Sequence, residues 1–266
     1  MHNLLDVILL GIIEGITEFL PISSTGHLLI AERLGLGARS DLFNVGIQAG
    51  AILAITLVYR HRIWTLLTDW GSASNRDYLA KLTAAFLITS VIGFAAVELG
   101  FKLPTQVTPV AWALIAGGVW MIFAEQMAER RPRSATVSWP AAILVGIAQM
   151  VAGIFPGTSR SATTIFVAML AGTNDRPAAT EFAFLVGIPT MYAATGYELL
   201  KVLTGGAAHD ADWTGFAVGF IVSLIVAFIA VEWLLGYIRH HRFTPFAVYR
   251  IVLGMAILVL AARGMV

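Results

Sequence analysis

The residues of this chain best suited to chemistry are a few carboxylate, hydroxyl, imidazole and guanidinium groups that lie within long apolar stretches. Glu14 and Glu18 are four positions apart, so a helix places both side chains on one face. Two carboxylates in apolar surroundings repel each other and are costly to ionise. A divalent cation would offset that cost, because Mg²⁺ and Ca²⁺ prefer oxygen ligands, and a shared proton would also offset it. A third interpretation is that Glu14 extends to the nearest surface and carries its charge there.

A serine and a histidine follow the acidic pair in the run Ser23-Ser24-Thr25-Gly26-His27. Small hydroxyl residues before an apolar helix are typical of an N-cap, which by itself would account for Ser23. His27 is the only histidine inside an apolar stretch, and histidine is the usual general acid or base near neutral pH. We therefore predict that His27 activates Ser24 as a nucleophile across one turn. The alternative is a structural histidine.

Arg160 supplies the complementary charge in a second apolar stretch. Its planar guanidinium matches the oxygens of a phosphate group, and Gly157 leaves the preceding backbone free to turn. A helix that begins near Ser161 would point unpaired N–H groups and its positive dipole end into the same loop. These features predict an anion site. The alternative is a structural ion pair of Arg160 with Glu14 or Glu18. Both interpretations are correct if Arg160 pairs with a carboxylate in the absence of substrate and binds the anion when substrate is present.

The composition indicates that lipid surrounds most of the chain. Of its 266 residues, 58% are hydrophobic and only 12% are charged, whereas soluble domains carry roughly 45–50% apolar and about 25% charged residues. So little polar surface would not cover a soluble globule. The net charge of +1 gives no field for nucleic acid, and the lack of cysteine excludes disulfides and thiolate chemistry.

A membrane helix needs about 20 mostly apolar residues. The sequence predicts six such spans, at 42–59, 79–99, 109–127, 180–203, 213–236 and 246–263. Two more apolar regions, 4–34 and 139–172, are broken near the middle by Pro21–Gly26 and Pro156–Ser161. Proline lacks the donor that a helix interior needs, and each half is too short to cross. The predicted fold is therefore an all-α integral membrane protein with six transmembrane helices and two re-entrant helix–loop–helix hairpins.

The two broken regions are related by a shift of 135 residues. Each is followed by three predicted spans, so the single membrane domain 1–266 divides into repeats at about 1–130 and 136–266. Because three is odd, the repeats should have opposite orientations in the membrane, an arrangement known for inverted repeats with broken helices. In this register the pairs are Glu14 with Gln149, Glu18 with Gly153, Pro21 with Pro156, Thr25 with Arg160, and His27 with Ala162.

The distribution of Lys and Arg predicts the orientation. If each hairpin returns to the side it entered, one face carries most of the basic residues and should be cytoplasmic. That face receives Arg60, Arg62, Arg76, Lys81, Arg130, Arg131, Arg133, Arg176, Arg239 and Arg242. The opposite face receives Arg33, Arg39, Lys102, Lys201 and Arg263. Both termini then lie outside the cytoplasm, in the periplasm of a Gram-negative cell.

Two motifs carry a resemblance to a known family. The run Glu14-Gly-Ile-Thr-Glu-Phe-Leu-Pro-Ile-Ser-Ser-Thr-Gly-His27 resembles the first signature of the bacterial undecaprenyl-diphosphatase, or bacitracin-resistance, family. Pro156-Gly-Thr-Ser-Arg-Ser-Ala-Thr-Thr164 resembles the second, with Ala162 where glycine is frequent. The segments Glu181–Leu185 and Pro245–Arg250 are also similar to the family, so the resemblance covers essentially the whole chain.

The resemblance implies hydrolysis of undecaprenyl diphosphate to undecaprenyl phosphate and inorganic phosphate. Such a phosphatase recycles the lipid carrier for peptidoglycan and other envelope polymers, and it confers bacitracin resistance. The resemblance also implies an inner-membrane location with the active site facing outward. By position, Glu14 and Glu18 match the acidic pair that the family links to Mg²⁺ or Ca²⁺. Ser24 matches the favoured nucleophile, and His27 matches its acid–base partner or a competing nucleophile. Arg160 matches the diphosphate-binding arginine, beside the substrate-binding residues Ser23, Thr25, Gly157, Ser159, Ser161 and Thr164.

Two other classes of function fit the same features. A polyprenyl-phosphate transporter or flippase would also have inverted repeats and broken helices. A lipid-binding scaffold would use the anion site without turnover. The expected partners are the polyprenyl diphosphate and membrane lipids, with no nucleic acid, and spans rich in small residues would support a homodimer.

Overall fold

The computed structural model describes residues 4–37, 39–99, 106–204 and 212–264, and these residues form helices without any β-strand. The first part of the chain contains α1 (Leu4–Thr17), α2 (Ser24–Ala31), a short π-helical turn (Glu32–Leu36), α3 (Asp41–Val58), α4 (Arg60–Thr68), α5 (Ala73–Glu98) and α6 (Val107–Glu129). The second part contains α7 (Trp139–Ile154), α8 (Arg160–Leu170), α9 (Arg176–Thr204), α10 (Trp213–Tyr237) and α11 (Thr244–Ala262). The predicted all-helical class is therefore confirmed.

Both predicted breaks interrupt helices. Residues 18–23 separate α1 from α2, and residues 155–159 separate α7 from α8. The breaks form where proline removes a backbone donor and where a serine caps the following helix. The predicted site residues lie either in these non-helical segments or at the adjoining ends of the helices beside them.

The helices are long and apolar enough for a multi-pass membrane protein. Four of the described helices meet the length and hydropathy of a span, at Ala73–Ala96, Val107–Glu129, Trp213–Tyr237 and Thr244–Ala262. A fifth candidate is the pair α3 and α4, which is bent by 66° between Val58 and Arg60. Five of the six predicted spans thus coincide with apolar helices, although the bend divides the first of them.

The sixth predicted span, 180–203, lies in α9, the longest described helix at 29 residues. It is not among the helices apolar enough to cross by composition. Pro189 lies inside it, and Thr180, Glu181 and Glu198 lower its apolar content. Its length suffices for a crossing, but its polar residues mark it as a helix that faces protein or a polar cavity over part of its length.

Most contacts of the longer helices in the first part of the chain have an equivalent contact in the second part. Helix α1 packs against α10, and α7 packs against α5. Helix α3 contacts α10, and α9 contacts α5. Helices α6 and α11 pack against each other, as do α3 and α9. Exchanging α1, α3, α5 and α6 with α7, α9, α10 and α11 leaves these contacts unchanged. The short helices follow the exchange less closely, because α2 and α8 both pack against α6, and α4 has no counterpart.

The end of the second hairpin is anchored to the end of α6. Asn174 Nδ2 donates to the carbonyl oxygen of Ala128 at 3.0 Å. Arg176 forms an ion pair with the buried Glu125 at 2.8 Å, and Glu125 also accepts the backbone N–H of Phe243 at 3.0 Å. These bonds fix the hairpin relative to α6 and α11. Of the residues used to predict orientation, Lys102 lies outside the described part of the chain.

The closest helix packing is between α3 and α10, where Gly50 lets two backbones meet. A Cβ at Gly50 would lie 3.1 Å from both the Phe220 carbonyl carbon and the Leu224 nitrogen. Ser223 Oγ crosses the same interface to donate to the Ile47 carbonyl at 2.7 Å. Small residues at such crossings are typical of packing in membranes.

We predict that Gly50→Ala destabilises the protein, because the new methyl group would meet backbone atoms that cannot rotate away. The expected loss in free energy of unfolding is about 1–3 kcal/mol, measured as a lower thermal unfolding temperature in detergent. The control is Gly196→Ala in α9, where a Cβ would meet no atom within 4 Å. An unchanged unfolding temperature in Gly50→Ala would contradict the close packing of α3 and α10.

Candidate active site

The two serines that cap α2 and α8 have nearly the same backbone conformation. Ser23 caps α2 with φ 75° and ψ 100°, and Ser159 caps α8 with φ 67° and ψ 111°. They are the only non-glycine residues with positive φ in the described part of the chain. Each serine hydroxyl accepts the backbone N–H three residues later, from Gly26 at 3.4 Å and from Ala162 at 3.3 Å. Such strained residues cluster at functional sites.

The capping serines correct the predicted repeat register. One residue separates Pro21 from Ser23, whereas two residues separate Pro156 from Ser159. The predicted shift of 135 residues aligns the two prolines, but it is wrong by one position for the capping serines and the residues after them. In the structure Ser24 corresponds to Arg160, and His27 corresponds to Thr163. The side chains of His27 and Thr163 each bond the carbonyl oxygen of the serine that caps their helix.

The extra residue is Gly157 or Thr158, in the loop that has to turn with a positive φ of 94° at Gly157. Gly157 also packs against α6, where a Cβ would lie 2.7 Å from the Val110 carbonyl oxygen. Glycine is required there both for the backbone conformation and for the close approach. The positive φ confirms the turn that the sequence predicted at Gly157, and the contact with α6 is a second requirement for glycine.

Glu18 joins the two loops. One carboxylate oxygen accepts a hydrogen bond from Arg160 Nη2 in an ion pair, and the other accepts the hydroxyl of Ser24 at 2.5 Å. The Glu18 side chain is 11% exposed and that of Arg160 is 29% exposed. A charge-assisted bond from a serine hydroxyl to a carboxylate is the arrangement in which the carboxylate removes the hydroxyl proton.

These side chains line a cavity of about 610 Å³. Seven of the predicted site residues contribute to its wall: Glu18, Ser23, Ser24, Thr25, Gly157, Ser159 and Arg160. The remainder of the wall comes from α2, α3, α5, α6, the end of α7 and the second half of α9. The two hairpins thus form one site, although they are far apart in the sequence.

Ser161 and Thr164 lie outside this cavity wall and serve the backbone. Ser161 Oγ donates to the Leu20 carbonyl at 3.0 Å and so ties the second hairpin to the first loop. Thr164 Oγ1 donates to the Arg160 carbonyl at 2.8 Å within α8. Both border a smaller pocket on another side of the Glu18–Arg160 pair. Their predicted contact with substrate stays a prediction, and their observed bonds hold Arg160 in place.

His27 does not bond Ser24 in this structure. Its Nδ1 lies 2.7 Å from the Ser23 carbonyl oxygen, and its Nε2 lies 2.7 Å from the Tyr249 hydroxyl. A carbonyl only accepts, so Nδ1 carries the proton and Nε2 accepts the hydroxyl of Tyr249. Both ring nitrogens are therefore engaged away from Ser24, and the residue that contacts the serine hydroxyl is Glu18.

Glu14 is buried one helical turn before Glu18 and is 1% exposed. Neither of its carboxylate oxygens has a hydrogen-bond partner among the described residues. Leaving such a carboxylate ionised and uncompensated is costly. A cation held together with Glu18 would offset that cost, and so would a proton. The described residues contain no cluster of three or more acidic or histidine side chains, so substrate oxygens or water would complete the coordination.

Arg250 is the functional residue that the site prediction missed. It lies in α11, is 0% exposed, and donates to the carbonyls of Gly157 at 3.0 Å and Thr158 at 2.9 Å. The same guanidinium also donates to Pro21 at 3.5 Å and to Ala113 of α6 at 3.3 Å. One side chain thus satisfies the backbone of both loops. The only sequence signal was its place in the segment Pro245–Arg250.

Comparison with known proteins decides the family. The family model described as bacitracin resistance protein BacA matches residues 7–256. The chain belongs to the BacA family. A Rhizobium etli protein named undecaprenyl-diphosphatase is 63% identical over 262 residues, which cover 98% of both chains. Another of that name, from Xanthomonas euvesicatoria pv. vesicatoria, is 57% identical over 258 residues, 97% of both chains.

The BacA match includes both broken hairpins and Arg250, so the two-loop cavity lies within the family region. The predicted resemblance is confirmed. The departure noted at Ala162 removes no functional group, because that position contributes its backbone N–H to the Ser159 cap.

We predict that Arg250→Lys destabilises this BacA-family protein. A lysine ammonium is a single point charge and cannot donate in the planar fork that reaches several carbonyls. The expected loss is about 2 kcal/mol, as for charge-assisted bonds to buried acceptors, measured as a lower thermal unfolding temperature in detergent. The control is Arg263→Lys at the exposed end of the same helix. Equal unfolding temperatures for both variants would show that Arg250 does not hold the loops.

Proposed function

We propose that this chain hydrolyses undecaprenyl diphosphate to undecaprenyl phosphate and inorganic phosphate, and so recycles the lipid carrier for envelope polymers. The names of the relatives and of the bacitracin-resistance family support the substrate and the resistance role. The observation that carries the chemistry is Glu18, which contacts both a serine hydroxyl and an arginine in one cavity. That constellation suits phosphoryl transfer, which depends on positioning and on charge stabilisation.

Arg160 binds the diphosphate in this mechanism. Its guanidinium forms an ion pair with Glu18, and the phosphate oxygens of the substrate compete for the same donors. Substrate binding therefore transfers Arg160 from Glu18 to phosphate.

Ser24 is the nucleophile, and Glu18 takes its proton. The Ser24 oxygen attacks the terminal phosphorus, and the bond to the bridging oxygen breaks, which releases undecaprenyl phosphate. Water then attacks the phosphoserine, the bond to Ser24 breaks, and inorganic phosphate leaves. The alternative is direct attack by water with Glu18 as base. His27 as acid–base partner stays a prediction, and its observed bonds to Ser23 and Tyr249 give it a second task in holding the loop.

Glu14 and Glu18 would hold the divalent cation that the family implies. When bound, Mg²⁺ or Ca²⁺ would neutralise charge on the diphosphate. The unpartnered oxygens of Glu14 support this assignment.

The proposed layout is six spans and two re-entrant hairpins in two inverted repeats, in the bacterial inner membrane with the active site facing outward. The matched helix contacts and the matched caps of Ser23 and Ser159 support the repeats. The excess of Arg and Lys on one face supports the orientation. A homodimer and the lack of a nucleic-acid partner stay predictions.

We predict that the purified protein in detergent releases phosphate from undecaprenyl diphosphate, that EDTA abolishes the release, and that Mg²⁺ or Ca²⁺ restores it. Glu14→Gln should raise the cation concentration for half-maximal activity by about tenfold or more, since the ligand loses its charge. Phosphate release without compartments separates a phosphatase from a pure flippase or a scaffold. Full activity in EDTA would contradict the metal assignment.

We predict that Ser24→Ala lowers phosphate release by at least about a thousandfold, because the nucleophile is lost. Rapid quenching of the unaltered protein with labelled substrate should trap a phosphoserine at Ser24. The control is Ser90→Ala in α5, whose hydroxyl bonds only the Phe86 carbonyl of its own helix at 2.9 Å. Full activity in Ser24→Ala would eliminate the nucleophile role, and loss of activity without a trapped phosphoserine would favour direct attack by water.

A further inference from the structure

The peptide that joins Ser23 to Ser24 carries the proposed nucleophile, so its orientation decides where the Ser24 hydroxyl points. Ser23 holds this peptide with a positive φ of 75°, a conformation that residues with a side chain rarely adopt. The Ser23 carbonyl belongs to the same peptide, and a donor bonded to that carbonyl keeps the peptide in place. The donors to this carbonyl therefore control the position of the nucleophile.

The backbone hydrogen bond to this carbonyl is weak. His27 N lies 3.4 Å from the Ser23 carbonyl oxygen, whereas such bonds are usually roughly 2.7–3.2 Å long. In the second loop the equivalent distance, from Thr163 N to the Ser159 carbonyl oxygen, is 2.9 Å. The first loop thus depends more than the second loop on a donor from a side chain.

The imidazole of His27 supplies that donor. Its Nδ1 lies 2.7 Å from the Ser23 carbonyl oxygen. A neutral imidazole has a single N–H proton, which either ring nitrogen can carry. If Nε2 carried it, the lone pair of Nδ1 would face the carbonyl oxygen and repel it. The bond to Ser23 therefore requires the proton on Nδ1.

Tyr249 selects this tautomer. Its hydroxyl lies 2.7 Å from His27 Nε2, and a hydroxyl that donates to Nε2 keeps the imidazole proton on Nδ1. The phenol ring also stacks on the imidazole, with ring centroids 5.6 Å apart and planes 6° apart. Neither ring is part of the wall of the cavity that contains Ser24, so both act on that serine through the backbone.

We infer that Tyr249 is a positioning residue of the proposed reaction, which acts through His27 on the peptide that carries Ser24. This role rests on the proposed function, because that function makes Ser24 the nucleophile. The next residue, Arg250, donates to carbonyls of the second loop. Two adjacent residues of α11 therefore hold the two loops, one through an imidazole and the other directly.

Tyr249→Phe removes the hydroxyl and keeps the ring that stacks on His27. We expect kcat for phosphate release from undecaprenyl diphosphate to fall about fivefold, the factor that one hydrogen bond supplies, while KM stays within about twofold. The matched control is Tyr192→Phe, whose kcat should not change. Tyr192 is 44% exposed and Tyr249 is 45% exposed, and the Tyr192 hydroxyl also bonds a side chain of another helix, Thr56 Oγ1 at 3.2 Å. A merely structural role would lower the unfolding temperature of Tyr249→Phe and leave kcat of the folded protein unchanged.

The second loop suggests a further variant, because Thr163 Oγ1 donates to the Ser159 carbonyl at 2.9 Å from the position equivalent to His27. His27→Thr should place a hydroxyl in the same way on the Ser23 carbonyl, so kcat should stay within about tenfold of the unaltered protein. His27→Val has the same shape but no donor, and its kcat should be at least about tenfold lower than that of His27→Thr. Adding Tyr249→Phe to His27→Thr should cause no further loss, because Tyr249 acts only through the imidazole.

Three results in folded proteins would overturn the inference. The first is an unchanged kcat in Tyr249→Phe. The second is an equal kcat in His27→Thr and His27→Val, which would mean that the donor to the Ser23 carbonyl does not matter. The third is a further loss when Tyr249→Phe is added to His27→Thr, which would mean that Tyr249 acts independently of His27. If the unaltered protein released no phosphate at all, the proposed function itself would fail, and that outcome is separate from all three.

Discussion

The ion pair between Glu18 and Arg160 connects residues that are 142 positions apart, and it brings the two loops together at one point. A charge in apolar surroundings needs an opposite charge or several hydrogen bonds, and removing one partner of a buried pair leaves the other uncompensated. Each loop contributes one charge, so neither is stable in its observed place without the other. Ser24 depends on the same pair, because its hydroxyl bonds the carboxylate that Arg160 holds.

The backbone of the loops obeys the same constraint. Non-helical backbone in apolar surroundings leaves polar groups without partners, so it occurs only where protein or a wet cavity satisfies them. Here the caps of Ser23 and Ser159 satisfy N–H groups, while Ser161 and Arg250 satisfy carbonyls. Polar backbone groups of the irregular segments are thus paired within the protein, which favours the preorganisation that catalysis by positioning requires.

The sequence allowed the local features to be predicted. The breaks, the caps and the apolar spans depend on neighbouring residues, and proline, serine and hydropathy report them directly. The ion pair of Arg160 with Glu18 corresponds to the alternative that the sequence left open beside the predicted anion site.

What the sequence did not reveal depends on contacts between distant elements. No spacing pattern joins His27 to Tyr249 across 222 residues, or Arg250 to the loop carbonyls. The register after the prolines failed for a different reason. The second loop has one more residue between its proline and its capping serine than the first loop has, and a constant shift cannot represent such an insertion. The bend between α3 and α4 and the polar character of α9 likewise reflect tertiary surroundings.

The position of Arg250 also has a consequence for how the protein is made. Arg250 follows Gly157 by 93 residues and Pro21 by 229, so at roughly 5–20 residues per second the ribosome needs about 5–20 s after the second loop before it adds this arginine. During that interval the carbonyls of both loops lack their guanidinium donor. The hydrogen bonds that hold both loops are therefore complete only after α11 has been synthesised.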